Sequence, residues 1–349
     1  MNIYFIIIFL FLSFIYPANS ILDHALPKLS DYNFFKHPIN EQIPNKNILP
    51  YKIASPLFSD YAEKLRFIYV PENKIITLNS DRSFSYPDGT FLIKTFYYLS
   101  DYRNQESSRY LVETRLLKKV ENEWIAIPYV WNKDQNEAVL SLVGARTNVS
   151  WIHHDGKHMD LLYSVPNFNQ CKSCHVHNNI LKPIGPKIRN LNNEFFYSDG
   201  MMNQLKKWIS KDILVPLKDF QTFPRTVNYE DITDGSVKER ARAWLDINCA
   251  HCHQKGGPAE SSGLFLDLEE KNIRALGVNK PPVAAGRGSG KRKYNIVPGS
   301  PEKSIIEYRI NSTDPGIMMP ELSRKLVHKE GLELIRSWIR NMPKESMHN

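Results

Sequence analysis

All four cysteines of the 349-residue chain stand in two five-residue boxes, Cys171-Lys172-Ser173-Cys174-His175 and Cys249-Ala250-His251-Cys252-His253. Whatever fold the chain adopts must present each pair of sulfurs and its trailing imidazole to one common group. In CxxCH the two sulfurs can form thioethers to the vinyl groups of haem, and the next histidine is held where it can ligate the iron, so the spacing is set by the porphyrin. The rivals are a redox dithiol, a zinc site and a structural disulfide. With 11 histidines in the chain, a trailing histidine after both pairs arises by chance about once in a thousand, and a thioredoxin-type dithiol does not need it. A zinc ribbon holds its two knuckles roughly 15–20 residues apart, whereas the second pair begins 78 residues after the first. The expectation is therefore two haem c groups, attached through Cys171 and Cys174 with His175 as axial ligand, and through Cys249 and Cys252 with His253.

The compartment is read from the N-terminus. Residues 3–16 are an apolar run of fourteen with Ser13 its one hydroxyl residue besides the tyrosines, Pro17 ends it, and Ala18-Asn19-Ser20 supplies small residues where a signal peptidase cuts. A spanning helix needs about 20 apolar residues, so residues 1–20 read as a secretory signal and the mature protein as periplasmic, with no membrane span after cleavage. No Lys or Arg precedes the run, which keeps an uncleaved anchor as the minor alternative. Export also suits c-type haem, which bacteria attach after secretion.

Texture divides the remainder. Residues 21–50, rich in Pro, Asn and Lys, read as a lead-in segment lying on the surface. Across 51–165 short aromatic and β-branched runs recur (RFIYV at 66, KIITL at 74, TFLIKTFYY at 90, YLVETRLL at 110, EWIAIPYVW at 123, EAVLSLV at 137), separated by turn signals. This is the pattern of an all-β, sandwich-like domain. From the first box onward the pattern is helical: 166–215 forms the first haem-binding segment with an amphipathic helix over 203–213, and 216–234 is a linker. In 235–345 a helix carrying Val237, Ala241, Trp244 and Leu245 runs into the second box. Ser300-Pro301 reads as a helix start, and the last helix covers 329–342.

A thioether from methionine raises the potential of haem iron, and in small cytochromes it arrives on a loop between CxxCH and the last helix. Here that loop is Asp314-Pro315-Gly316-Ile317-Met318-Met319-Pro320, with Met319 lying 66 residues beyond His253. From about Lys52 to Met342 the chain resembles the bacterial di-haem c-type cytochromes with an N-terminal β-rich domain. The stretches that carry the resemblance are SPLFSDYAEKLRF at 55, GTFLIKTFYY at 89, PNFNQCKSCH at 166, IGPKIRNLN at 184, LDINCAHCH at 245, GPAESSGLFLD at 257, PPVAAGRGSG at 281 and STDPGIMMPEL at 312. It implies haem at both boxes and a class I cytochrome c fold in the C-terminal third. It also implies a ligand Met directly before Pro, which selects Met319 over Met318. The fold expected is thus multidomain, a sandwich-like β domain followed by mostly α haem-binding segments ending in a cytochrome c fold. At the first site Gly185-Pro186 stands where cytochromes c place a carbonyl that orients the proximal imidazole. Its sixth ligand is open, with Met202 and Met201 the nearest thioethers and His153, His154, His158 and His177 the available imidazoles, each more often a surface or turn residue.

The net charge is +8, and the segment 271–293 carries seven cations, Lys271, Arg274, Lys280, Arg287, Lys291, Arg292 and Lys293, with no carboxylate. It is either a solvated loop or a docking surface for an acidic redox partner, in which Arg287, Lys291, Arg292 and Lys293 are the candidates. Nucleic acid is not expected outside the cytoplasm. GRGSGK at 286 lacks the spacing and the hydroxyl residue of a phosphate loop. The function expected is single-electron transfer between redox partners. The alternative is a di-haem enzyme of peroxidase or dehydrogenase type that uses an open sixth position at the first haem.

Overall fold

The computed structural model describes residues 19–218, 220–322 and 324–344. The apolar run at 3–16 and all but the last two residues of the segment read as a secretory signal, 1–20, lie outside the described residues. Among those described, no helix is long and apolar enough to cross a membrane.

The strands in chain order begin with β1 (Ile48–Pro50), β2 (Glu63–Tyr69), β3 (Thr77–Leu78), β4 (Phe84–Ser85) and β5 (Phe91–Leu99). They continue with β6 (Arg109–Val120), β7 (Glu123–Trp131), β8 (Ala138–Leu140), β9 (Ala145–Ile152) and β10 (His158–Val165). Six of them form one antiparallel sheet in the order β1-β2-β5-β6-β7-β8. Five of the six aromatic and β-branched runs quoted above became strands of this sheet, β2, β5, β6, β7 and β8. The sixth, at 74, keeps only the two-residue β3, with Ile76 bridging to Leu214 instead.

Strand alternation gives the sheet two faces with different partners. Phe67, Ile93, Leu116 and Ile127 stand side by side in register on one face and pack against Phe34, Phe35, Ile39 and Leu29 of the lead-in. Residues 21–50 therefore cover one face of the sheet. Their composition hides this because most of the segment is polar and exposed, and only some of its apolar side chains, Phe34 and Phe35 among them, are almost wholly buried, each contributing about 1.5–3 kcal/mol. The opposite face presents Arg66, Lys94, Arg115 and Pro128 in one register row and Leu92, Leu117 and Ala126 in the next. It looks toward the cysteine boxes. Among the described residues a second sheet of sandwich type does not form: β9 and β10 pair with each other as a separate ribbon, tied to the turn after β5 by the bridge of Ile152 to Asp101.

After β10 come α2 (Phe168–His175), the small ribbon β11 (Val176–His177) with β12 (Ile180–Leu181), and α3 (Ile188–Leu191). Next are the hairpin of β13 (Glu194–Tyr197) with β14 (Gly200–Asn203) and α4 (Gln204–Ser210). The C-terminal part holds α5 (Val237–Cys249), α6 (Ile305–Ile310) and α7 (Lys329–Arg340). This corrects the expected fold. The C-terminal third is not mostly α and forms no helical cytochrome c fold; residues 250–304 are turns, extended loop and short 3-10 segments. Apolar periodicity located α4, α5 and α7 correctly, but the polar, glycine-rich chain between the boxes and the last helix carries no 3.6-residue repeat to continue them. Ser300 makes no side-chain cap, and Pro301 opens a 3-10 turn before α6.

Nor do the C-terminal helices own a separate core. One continuous cluster runs from Tyr51, Ile68 and Leu92 of the β part through Trp208 to Trp244, Ile335 and Trp338. The segment read as a linker joins it too, with Tyr229 buried in the cluster and Val227 accepting a 2.7 Å hydrogen bond from Ser55 Oγ. Helix α7 lies close on α5 because residue 331 is glycine: a Cβ there would come 2.3 Å from Trp244 Nε1.

Candidate functional site

Helix α2 exists for local reasons. Asn167 caps it, accepting from Gln170 N at 2.9 Å while Gln170 returns a bond to Asn167 N. Within this single turn-and-a-half Cys171, Cys174 and His175 project together. The second box begins on the last residue of α5, itself opened by a Ser236–Glu239 capping box, and His253 N closes back onto Cys249 O at 2.9 Å. The two boxes are neighbours. Asn178 N, three residues past the first box, donates to Gly256 O, three residues past the second, at 2.9 Å. Deeper in, Arg189 of α3 grips Asp246 of α5 through one guanidinium nitrogen at 2.8 and 2.9 Å. Burial opposes ionisation of Asp246, but the charges of Lys187 and Arg189 outweigh it and hold the carboxyl below its usual range.

All four cysteines, His175 and His253 line one chamber, floored by the cationic face of the sheet and walled by α2, the end of α5, α6 and the Met319 loop. The centres of water-sized molecules can occupy about 580 Å³ of it. Packed interiors hold few voids larger than a single water, so this is a built chamber. The thiols are unpaired. Burial pushes those of Cys249 and Cys252 up to about 12 and raises those of Cys171 and Cys174, which makes them poor free dithiol nucleophiles. Among the described residues no three His, Cys, Asp or Glu side chains converge as a metal cluster would require; what the boxes share is an apolar-walled space.

The imidazoles are set for ligation of a group inside it. His175 Nδ1 lies 2.8 Å from Lys182 O, and a carbonyl can only accept, so Nδ1 carries the proton and Nε2 keeps its lone pair. A ligating histidine is commonly oriented in this way. The orienting carbonyl is that of Lys182 and not one of the Gly185-Pro186 pair expected in this role; Gly185 O accepts from Asn190 at 2.8 Å. Burial pushes His175 down to about 4. His253 is also lowered by burial, partly offset by a hydrogen bond to the Leu264 backbone.

The thioether candidates separate cleanly. Met319, half-buried, lines the chamber, while Met318, buried, does not. The Met319 loop is stapled by buried Arg324, whose guanidinium donates to Met319 O at 2.8 and 3.1 Å and also to Arg309 O, Ser312 O and Leu326 O. Asp60, on the loop before β2, fixes the far end through Lys325 N and Leu326 N at 2.7 and 2.8 Å. Met201 and Met202 sit in the β13–β14 hairpin, exposed and outside the chamber, and His153, His154, His158 and His177 do not line it either. The structure therefore brings none of the expected sixth ligands to the first box. Two chamber-lining imidazoles were missed, His251 inside the second box and His328 before α7. His328 Nδ1 accepts from Trp244 Nε1 at 2.9 Å, and its ring stacks on Phe58 at 4.3 Å. The basic segment lies outside the chamber. Arg287 pairs with Asp314 at 2.7 Å and Arg292 packs on Tyr308 while donating to Glu302 O, whereas Lys291 and Lys293 are exposed.

Comparison with protein-family profiles, with curated proteins and with solved structures found no match to the chain.

Proposed function

We propose that the protein is an exported di-haem c-type cytochrome that passes single electrons between redox partners. The observation that carries the reading is the shared chamber: two CxxCH boxes face one apolar space, and His175 is already held by a carbonyl with its other nitrogen free. Haem, when bound, supplies a one-electron Fe(III)/Fe(II) couple. Cys171 and Cys174 would hold one group and Cys249 and Cys252 the other, through thioether bonds. His175 and His253 would ligate from one side, and Met319 would reach the second iron on a loop that Arg324 keeps from drifting. A group filling the chamber would displace water from it, and the apolar residues there, Leu92 and Leu117 of the sheet with Ile247, Ile305 and Ile306 of α5 and α6, would keep that group's surroundings dry, which raises the potential of a buried couple. Lys291 and Lys293, with Arg287 and Arg292 behind them, would supply the positive field for an acidic partner.

The test is haem content. Produced with its export signal in a host that attaches haem c, the chain is expected to carry two haem masses that survive acidified organic extraction, with a pyridine haemochrome count of two. Bare polypeptide, or bound zinc, from a competent host would sink the reading. The same preparation addresses the enzyme alternative, which the placement of Met201 and Met202 outside the chamber favours: carbon monoxide binding to one reduced haem supports an open position at the first box, and none removes it.

A further inference from the structure

The floor of the chamber contains an arrangement that a sheet does not adopt without cause. Arg66 of β2, Lys94 of β5 and Arg115 of β6 are directly opposed neighbours in one register row, and all three line the chamber. Like charges placed opposite each other destabilise a sheet, and an uncompensated charge in the interior costs several kcal/mol.

Only one of the three is satisfied by the protein. Arg115 holds Glu113 through two bonds of 2.6 and 2.7 Å, and Tyr163 OH adds a third to the same carboxylate at 2.6 Å. Arg66 is 7% exposed, its Nη2 is buried with no hydrogen-bond partner, and among the described residues its guanidinium makes no ion pair. Lys94 makes no ion pair among the described residues, and its ammonium lies over the face of Phe96 at 4.7 Å. Lys64, two residues before Arg66 on the same face, crowds the same ring at 6.0 Å. Burial first, then the charges of Arg66, Arg115 and Lys64, press the Lys94 ammonium well below its usual range. Three carboxylates offset this in part without pairing with Arg66 or Lys94: Glu63 acts on Arg66 and Lys64, Glu230 on Lys64, and Glu113, already held by Arg115, on Lys94. The row also belongs to one box in particular: Lys94 and Arg115 are among the charges felt at Cys174 and His175, whereas Arg309 and Arg324 play that part for the second box.

We propose that Arg66 and Lys94 form a seat for a carboxylate in the chamber floor, and that in the loaded protein this carboxylate is a propionate of the haem on the first box. A guanidinium matches a carboxylate with two parallel donors, and the ammonium adds a third charge-assisted bond. A free carboxylate would satisfy the same chemistry. The identity of the ligand rests on the di-haem reading; the existence of the seat does not.

The experiment uses the full chain from a haem-attaching host, with Arg66→Gln, Lys94→Gln and the conservative Arg66→Lys, each checked by circular dichroism and haem count. In a redox titration either Gln variant is expected to lower one of the two potentials, to make that potential pH-dependent at weakly acidic pH as the propionate loses the cation that keeps it ionised, and to leave the other unchanged. Arg66→Lys should restore most of the difference. Acetate is titrated in parallel and followed by thermal melting. If acetate stabilises the wild type and its affinity falls about tenfold or more in the Gln variants, the seat takes a free carboxylate and the propionate assignment is withdrawn. If the variants are folded with full haem content, both potentials stay put and acetate does nothing, there is no seat. Should Arg66→Gln not fold, Lys94→Gln at the less buried position decides the same question. A wild type without haem defeats the di-haem reading alone, and the acetate arm still tests the seat.

Discussion

Met319 is the residue on which the second site turns, because it is the methionine of the 314–320 loop that lines the chamber and its carbonyl is held by Arg324. Met319→Ala is expected to abolish the weak near-infrared thioether-to-iron band and to lower one potential, since loss of a thioether ligand removes the ligand that raised it. Met318→Ala should leave both unchanged; the reverse result would move the assignment by one residue. The groups whose chemistry depends on local spacing were legible in the chain: the four cysteines, His175, His253 and the Met before Pro320. Arg66, Lys94 and Arg324 were not. Each is an ordinary cation in its own stretch of sequence, and only strand register or the path of a loop places it on the chamber. His251 carried a signal that could have been read, an imidazole inside the second box itself.

At the scale of elements, α3 and α5 are joined by the buried Arg189–Asp246 pair, so the frame behind the first box is tied to the helix that ends in the second. Removing one partner of a buried pair costs about 3–5 kcal/mol, and Asp246→Asn is expected to lose that much in denaturant unfolding at neutral pH. The sign of the pH dependence follows from the depressed carboxyl of Asp246. Its contribution is complete above the unfolded value, near 4, and fades as pH falls through the lower folded value, so the gap between wild type and variant should close only in acid. Equal stabilities at neutral pH would mean the pair contributes nothing. Elements with a strong repeat of their own were readable in advance: β5, β6 and β7 by β-branched and aromatic runs, α5 and α7 by apolar faces. The β9–β10 ribbon and the lead-in cover were missed as elements. Polar residues dominate the lead-in and interleave the apolar ones of the ribbon, and burial in both depends on what the rest of the chain offers, the free face of the sheet for Phe34 and Phe35 and the Tyr98 edge for Trp151.

For the whole molecule, a chain read as a β domain followed by a cytochrome domain has a cluster common to both parts, in which Trp208, Trp244 and Trp338 pack with residues of strands β2 and β5. Sequence texture divides a chain where composition changes, whereas packing joins whatever apolar faces meet, and here the sheet face and the segments that carry the cysteine boxes meet around the chamber. The central claim is that both boxes open into that single space. Circular dichroism in the Soret region tests it most directly, because haems that share a chamber couple their transitions and haems in separate compartments do not. The wild type is predicted to give a bisignate couplet that neither the Cys171→Ala, Cys174→Ala variant nor the Cys249→Ala, Cys252→Ala variant shows. A wild-type spectrum equal to the sum of the two single-haem spectra would contradict the account.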